Sequence, residues 1–287
     1  MVKYKIPIVF LLIGLVYFLS QVFFGNWILP QGFFLGPIEV RYYGIIIALA
    51  VAVGYYYAVK TSTKYQISPK QAEDLLFWVI IGGFIGARIY HVFSSFNFYL
   101  QNPLSVFQVW NGGLSIYGAV LAGLLSLIVY KKLYNFQLST FNLLDWLTPS
   151  IILGQIIGRF GNLFNYEAFG YPTNLVWKMF VPIEFRPVGF LGFSFFHPWF
   201  LYEVFGLIII FLLLKIIIQK RLGNINGSLF LTYFLLYNVV RFFLEFSRID
   251  SVFIGNMRQN AVASLVFAVL ACFAFIFIFL KKRDKVS

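Results

Sequence analysis

Long apolar segments recur along the chain, and no other feature constrains its fold as strongly. Each is roughly long enough to cross a bilayer as an α-helix, which takes about 20 residues. Only 11% of the residues are charged, whereas a soluble domain carries about 25%. Because a lipid-embedded backbone must satisfy its own polar groups, we predict an all-α, polytopic membrane helical bundle. The predicted helices cover residues 6–24, 43–59, 75–92, 114–130, 146–164, 200–218, 229–246 and 261–280.

The first apolar segment has two interpretations, a cleaved signal peptide or a retained helix. A signal-peptide core spans about 7–15 residues and is followed by small residues at the cleavage site. Here the segment is longer, and Asn26, Trp27 and Pro30 follow it. We therefore predict one extra N-terminal transmembrane helix in residues 1–30, and a membrane domain with seven core transmembrane helices in residues 31–287.

Basic residues lie mainly in loops on one side of the predicted helices, the side that carries both termini. Lys3, Lys64, Lys215 and Lys285 are examples among the 22 lysines and arginines. The positive-inside rule then places both termini of this multi-pass membrane protein in the cytoplasm. The net charge of +12 reflects these loop clusters, so we predict no nucleic-acid partner. The single cysteine, Cys272, allows neither an intramolecular disulfide nor a cysteine–histidine metal motif, and we predict no metal and no cofactor.

Two external loops are longer than the others, residues 94–113 and residues 166–198. The second contains Pro172, Pro182 and Pro187. Because proline interrupts regular structure, we predict that residues 166–198 form a small external headpiece with an irregular or short-stranded fold.

One predicted helix ends in a polar stretch at a depth where hydrocarbon is expected. It carries Arg159, Asn162, Asn165 and Glu167. An arginine within a bilayer costs roughly 2.5–3.5 kcal/mol on insertion scales, so its charge must face a protein interior, a watery cavity or an anionic ligand. Because Arg159 and Asn162 share a helix face, we predict that this helix brings a guanidinium and an amide to a site at lipid depth.

Polar groups from other helix ends lie on the same external side. Near the end of the seventh predicted helix, Tyr237, Arg241, Glu245 and Arg248 form one stripe, in which Arg241 and Glu245 can pair. Such a stripe can simply hold two helices together. Three arginines at similar depth, however, face only two or three acids, and the excess positive charge predicts a bound anion such as phosphate. These residues are Arg88, Arg159, Arg241, Glu167, Glu203 and Glu245.

The polar stretch at residues 158–170, GRFGNLFNYEAFG, resembles the signature of the prolipoprotein diacylglyceryl transferase family. Four further segments occur in the order that the family has, and the resemblance extends over about residues 36–280. They are RYYG at 41–44, GGLSIYG at 112–118, HPWFLYE at 197–203 and RFFLEFSR at 241–248.

The resemblance implies a bacterial plasma-membrane enzyme. Members of the family move the diacylglyceryl group of phosphatidylglycerol to the lipobox cysteine in the signal peptide of a prolipoprotein, and release glycerol phosphate. The implied partners are therefore phosphatidylglycerol, the prolipoprotein and membrane lipid. The implied catalytic residues are Arg159, Arg241, Glu167 and Tyr117, and the implied phosphatidylglycerol-binding residues are Arg159, Asn162, Arg241, Tyr43, Glu245, Arg248, Gly170, Arg88 and His197.

The chemistry of such a transfer accounts for two arginines. A cysteine thiol has a pKa near 8.5, and only its thiolate attacks well. The leaving group is an anionic phosphate ester, which needs positive partners placed in advance. Our hypothesis is that Arg159 and Arg241 hold the phosphate while Glu167 and Glu245 orient them.

Several candidates also have a structural interpretation. Tyr117 stands where many members have a histidine, and a phenol with a pKa near 10 is a poor base at neutral pH. We interpret it as a hydrogen-bonding group and leave the base unassigned. Tyr43 and Tyr117 alternatively suit an interfacial tyrosine belt, and His91 and His197 suit hydrogen-bonded interface positions.

Two other functions are compatible with a basic pocket in a membrane bundle. The first is a non-catalytic protein of the same fold that binds or moves lipid. The second is an unrelated transporter, although transporters often have repeated halves and no internal repeat is visible in this sequence.

Overall fold

Eight long helices dominate the computed structural model, which describes residues 5–222 and 225–283. Six of them, α2, α3, α4, α6, α7 and α8, are long and apolar enough to cross a membrane. The fold is therefore a helical membrane bundle, as predicted. Lys3 and Lys285, which contribute to the predicted orientation, lie outside the described residues. The helices are α1 (Lys5–Phe23), α2 (Tyr42–Thr61), α3 (Pro69–Ser94), α4 (Ile116–Leu133), α5 (Thr140–Arg159), α6 (Trp199–Leu213), α7 (Ser228–Glu245) and α8 (Gln259–Arg283).

Helix α5 lies at the centre of the bundle, where it packs against α2, α6 and α7. It begins after Ser139, whose hydroxyl accepts a hydrogen bond from the backbone N–H of Asn142 and caps the helix. It ends at Arg159, five residues earlier than predicted, and a separate turn follows at Gly161–Asn165. Because α5 lies at the centre, its polar side chains face protein rather than lipid, and the helix can remain in an apolar bundle.

Asp145 of α5 has a different role from the one its sequence position suggests. An acid near the start of a helix ordinarily favours the N-terminus of that helix. In the structure its buried carboxylate accepts hydrogen bonds from the backbone N–H groups of Gly227 and Phe230. Asp145 therefore caps the start of α7 and fixes that helix against α5.

Helices α3 and α4 approach each other closely because both present glycine at the contact. A Cβ atom on Gly86 would lie 2.7 Å from the carbonyl oxygen of Gly118, and a Cβ on Gly118 would lie 2.2 Å from the carbonyl oxygen of Gly86. Small residues are a usual means of bringing helices together in lipid, where no hydrophobic effect drives their association.

The headpiece is short-stranded, as predicted. Strand β3 (Met179–Phe180) pairs antiparallel with β4 (Phe195–Phe196), with Met179 opposite Phe196. Two other short antiparallel pairs join β1 (Gly32–Leu35) to β2 (Ile38–Arg41) and β5 (Phe253–Ile254) to β6 (Met257–Arg258).

Helix α1 is attached to the headpiece at its C-terminal end. Val22 is buried in the same apolar cluster as Met179, Phe196 and Trp199. The hydroxyl of Tyr166 accepts a hydrogen bond of 2.6 Å from the backbone N–H of Leu29. The extra N-terminal helix thus packs onto the folded part of the chain that precedes α6.

Candidate functional site

Arg159 and Arg241 line the same cavity, which has a volume of about 740 Å³. Arg159 is the last residue of α5, and Arg241 lies on α7. The prediction that guanidinium groups from two helices meet is therefore confirmed. The other polar side chains that line this cavity are Tyr43, Tyr55, Tyr117, Ser150, Gln155, Asn162, Tyr237, Asn238, Asn260 and Ser264.

Glu203 of α6 joins the two arginines. Its carboxylate is fully buried, with one oxygen 2.5 Å from Arg159 Nη2 and the other 3.5 Å from Arg241 Nη1. The hydroxyl of Tyr237 donates a hydrogen bond of 2.9 Å to the same carboxylate. A single acid therefore fixes the separation of two guanidinium groups that come from different helices.

Arg241 is held by a second acid and by an aromatic ring. Its Nη2 lies 3.4 Å from Glu245 Oε2, and its guanidinium lies 4.5 Å from the centre of the Trp199 ring. Its Nη1 is paired with Glu203 Oε2 at 3.5 Å, and neither atom makes a hydrogen bond among the described residues. The guanidinium is therefore fixed by ion pairs at the cavity that it lines.

Glu167 does not orient an arginine, and this part of our hypothesis is wrong. Its carboxylate accepts hydrogen bonds from Asn162 Nδ2 at 2.9 Å and from Asn165 Nδ2 at 3.3 Å. Glu203 holds the position next to Arg159 that we had expected for Glu167. Since Asn162 lines the cavity, Glu167 acts on the site by orienting this amide. The predicted pairing of Glu245 with Arg241 is confirmed.

Tyr43 contributes its ring to the cavity from the first turn of α2. This arrangement requires glycine at position 161, because a Cβ there would lie 2.7 Å from the Tyr43 ring. Tyr117, in the first turn of α4, also lines the cavity and is 54% exposed. Its position favours a hydrogen-bonding role toward a ligand, and no contact among the described residues identifies a base.

Four predicted binding residues do not line the cavity, namely Glu245, Gly170, His197 and Arg248. Gly170 donates its backbone N–H to the carbonyl of His197 at 2.9 Å and forms a bridge with Arg248. The guanidinium of Arg248 pairs with Asp250 and lies over Trp199. Partial burial lowers the pKa of the His197 imidazole, whose Nδ1 lies 2.8 Å from the hydroxyl of Tyr202. These contacts hold the headpiece and the end of α7 around the arginines.

Arg88 is also absent from the lining of this cavity. Its buried guanidinium donates hydrogen bonds to the backbone carbonyls of Ser105, Val106, Gly112 and Gly113. All of these acceptors belong to the segment between α3 and α4. The contacts favour a role in holding that segment rather than the predicted role in phosphate binding.

Replacing Arg88 with glutamine is expected to lower the free energy of unfolding by roughly 3 kcal/mol, because several buried carbonyls lose a charged donor. Thermal unfolding of the detergent-purified protein measures this change, and Arg41→Gln, at an exposed site, provides the control. A variant with unchanged stability and weaker phosphatidylglycerol binding would instead support the predicted phosphate contact.

The sequence did not single out Glu203 and Tyr237 as site residues. Glu203 appeared only among the acids of the cluster, because an acid in an apolar helix has no evident partner in the sequence. Its position in the segment 197–203, which supports the family resemblance, was the available signal. Tyr237 lies one helical turn before Arg241 and shares its face.

The sequence matches known proteins along most of its length. A sequence model of the family described as "Prolipoprotein diacylglyceryl transferase" matches residues 30–277. The phosphatidylglycerol–prolipoprotein diacylglyceryl transferase of Fervidobacterium nodosum is 40% identical over 278 residues, which cover 95% of this chain and 94% of that protein. The protein of the same name from Thermotoga maritima is 38% identical over 260 residues, which cover 90% of this chain and 88% of that protein.

Proposed function

This chain belongs to the prolipoprotein diacylglyceryl transferase family, and we propose that Arg159 and Arg241 bind the donor phosphate during the transfer. The protein is a multi-pass membrane transferase that moves the diacylglyceryl group of phosphatidylglycerol to prolipoproteins, the first step of their maturation. The observation that carries the proposal is the shared cavity with its two guanidinium groups.

The proposed reaction joins the sulfur of the lipobox cysteine to a glyceryl carbon. The bond from this carbon to the phosphate ester oxygen breaks, and glycerol phosphate leaves with the bonding electrons. The thiol proton leaves before or during the attack, because only the thiolate is a good nucleophile. The result is a thioether, and no metal or redox cofactor is needed for the balance of atoms and electrons.

Arg159 and Arg241 are suited to stabilise the leaving phosphate. Negative charge grows on the ester oxygen as the carbon–oxygen bond lengthens, and donors fixed in advance at a site of low dielectric stabilise that change most. Glu203 holds both groups in place before substrate binds. Arg241 lines the cavity together with Arg159, so both guanidinium groups are placed to donate to the phosphate.

We propose that the enzyme lies in the bacterial plasma membrane with both termini in the cytoplasm. The positive-inside rule supports this orientation, since Lys64 lies between α2 and α3, and Lys131 and Lys132 lie in the last turn of α4. The arginines then lie near the outer leaflet, where a prolipoprotein presents its lipobox cysteine after export.

Mass spectrometry of a lipobox peptide tests the function directly. We expect the purified protein, supplied with phosphatidylglycerol vesicles, to add one diacylglyceryl mass to the peptide and to release glycerol phosphate. A peptide with serine in place of cysteine and vesicles without phosphatidylglycerol are the controls. Binding of phosphatidylglycerol without any change in peptide mass would contradict the proposal and indicate a non-catalytic lipid-binding protein.

A further inference from the structure

Two adjacent cavities lie at the end of the bundle opposite the arginines. They have volumes of about 340 Å³ and about 80 Å³, and both are lined by Lys64, Tyr65, Gln219 and Leu229. We call them together the lysine cavity. Its larger part alone has the size of a small-molecule binding site, which is usually about 300–1,000 Å³.

The lysine cavity is distinct from the cavity that holds the arginines. Asn142 lines the lysine cavity in the first turn of α5, whereas Arg159 is the last residue of the same helix. The stretch of helix between them is about 25 Å long, and the hydrocarbon core of a bilayer is about 30 Å thick. The two sites therefore lie toward opposite surfaces of the membrane.

Lys64 and Lys215 bring positive charge to the lysine cavity. Lys64 lies in the short 3₁₀ turn Ser62–Tyr65 that follows α2, and Lys215 lies just beyond the end of α6. The ammonium of Lys215 lies 5.5 Å from the centre of the Phe211 ring. Within residues 5–222 and 225–283, neither lysine has an ion pair or a hydrogen bond from its ammonium. Both charges are therefore available to a ligand.

Asp145 also lines the lysine cavity, but its carboxylate is engaged elsewhere. Its two oxygens accept hydrogen bonds from the backbone N–H groups of Gly227 and Phe230. These groups begin α7, and the N-terminal end of a helix carries a partial positive charge. The negative charge of Asp145 is therefore offset by α7 and not by the two lysines.

Side-chain amides surround the lysines with further hydrogen-bond donors. They belong to Gln66, Asn142, Gln219 and Asn226, all of which line the larger part of the lysine cavity. A phosphate group accepts hydrogen bonds from ammonium and amide groups alike, and lysine is a common partner of phosphate in proteins. This set of groups favours a phosphate ligand over a metal cation or an apolar molecule.

The helix that carries Lys215 departs from α-helical geometry at the lysine cavity. After α6 the chain makes one π-helical turn, Leu214–Ile218, and then a last α-helical turn, Gln219–Leu222. Lys215 and Gln219, one from each turn, line the cavity. Such π turns are rare, and they occur frequently at functional sites. The irregular backbone is therefore a second observation, independent of charge, that favours a binding site here.

We propose that the lysine cavity binds a phosphate group, which belongs either to a lipid headgroup in the leaflet opposite the donor site or to a soluble phosphate compound. Lys64 and Lys215 supply the charge, and the neighbouring amides supply further hydrogen bonds. A bound phosphate joins the end of α2 to the end of α6, because the two lysines come from these elements. The inference does not depend on the proposed function, since none of these groups lines the cavity with the arginines.

Acetylation of individual lysines, followed by peptide mass spectrometry, tests the site in the intact protein. One arm compares inorganic phosphate with sodium chloride of the same ionic strength, in a neutral detergent. The other arm compares phosphatidylcholine nanodiscs with and without phosphatidylglycerol. With a ligand at about ten times its Kd, roughly one site in ten stays free, so Lys64 and Lys215 should be acetylated about tenfold more slowly.

Lys60 provides a matched control for these two lysines. It lies about one helical turn before Lys64, and it does not line the lysine cavity. Its ammonium lies 5.5 Å from the centre of the Tyr56 ring, the same separation as between Lys215 and Phe211. Because the positive-inside rule accounts for Lys60 equally well, its acetylation rate should stay the same in every condition.

The two arms distinguish the sources of the phosphate. Slower acetylation of Lys64 and Lys215 with inorganic phosphate supports a soluble phosphate compound, whereas slower acetylation only in the phosphatidylglycerol nanodiscs supports a lipid headgroup. Unchanged rates at both lysines in every condition would overturn the inference. Equal slowing at Lys60 would also overturn it, because the effect would then be a general one of anions near a basic surface.

Lys64→Gln tests whether the two lysines share one ligand. In this variant most of the protection of Lys215 should be lost, because a single ammonium group remains to hold the phosphate, whereas Lys60→Gln should leave the protection unchanged. Thermal unfolding of both variants verifies that they are folded. Full protection of Lys215 in folded Lys64→Gln protein would contradict a shared site, and the measurements on the unchanged protein decide the question if this variant does not fold.

Discussion

Arg159→Gln is expected to lower the rate of diacylglyceryl transfer by about a hundredfold to a thousandfold, which is the usual effect of removing one fixed donor from a developing oxyanion. Glutamine keeps a neutral amide but loses the charge that offsets the leaving phosphate. It also loses the ion pair with Glu203. The Glu203 carboxylate then changes position, which lowers the transfer rate further. Initial rates of peptide modification, measured by mass spectrometry, provide the test.

Arg241→Gln should cause a loss of similar size, because Arg241 shares the cavity and the same carboxylate. Lysine at either position keeps the charge but not the planar pair of donors, and we expect partial activity. Arg186→Gln makes the same change of charge in the headpiece, where Arg186 donates to the carbonyls of Val181 and Leu191, and should leave the rate near that of the unchanged protein. Near-normal transfer by Arg159→Gln would refute the proposed role of the arginine.

The fold follows largely from the apolar segments of the sequence. Every predicted segment overlaps a long helix. In lipid, a chain has few ways other than a helix to pair its backbone N–H and C=O groups. The boundaries of α5 were predicted less well, at 146–164 instead of Thr140–Arg159. Its start depends on the Ser139 cap, and its first turns carry polar residues that hide the helix from an apolar pattern.

The partners of the charged side chains could not be predicted from the sequence to the same extent. The spacing of Arg241 and Glu245 on one helix predicted their pairing, because positions i and i+4 are neighbours. The pairing of Arg159 with Glu203 joins α5 to α6 and depends on how two helices rotate against each other. Three acids were available, and spacing along the chain does not distinguish them. Arg88 shows the same limit, since its partners are backbone carbonyls, which any sequence offers.

Glu203→Gln is expected to lower kcat for the transfer by roughly a hundredfold, although Glu203 itself does not line the cavity that holds the arginines. Glutamine has almost the same shape as glutamate but carries no charge. Arg159 and Arg241 then repel each other without a carboxylate between them. Removing one partner of a buried ion pair typically also costs about 3–5 kcal/mol of stability, so thermal unfolding should be measured beside the kinetics.

The separation of KM and kcat decides whether Glu203 positions the arginines or only stabilises the bundle. Without the carboxylate the cavity gains positive character, so phosphatidylglycerol should bind as well as before or better, and KM should stay level or fall while kcat drops. Glu203→Asp keeps the charge on a shorter side chain and should restore part of kcat without restoring all of the stability. If Glu203→Gln unfolds at a lower temperature but turns over at the normal rate once folded, the carboxylate serves only to hold α5, α6 and α7 together, and the two arginines reach their working positions without it.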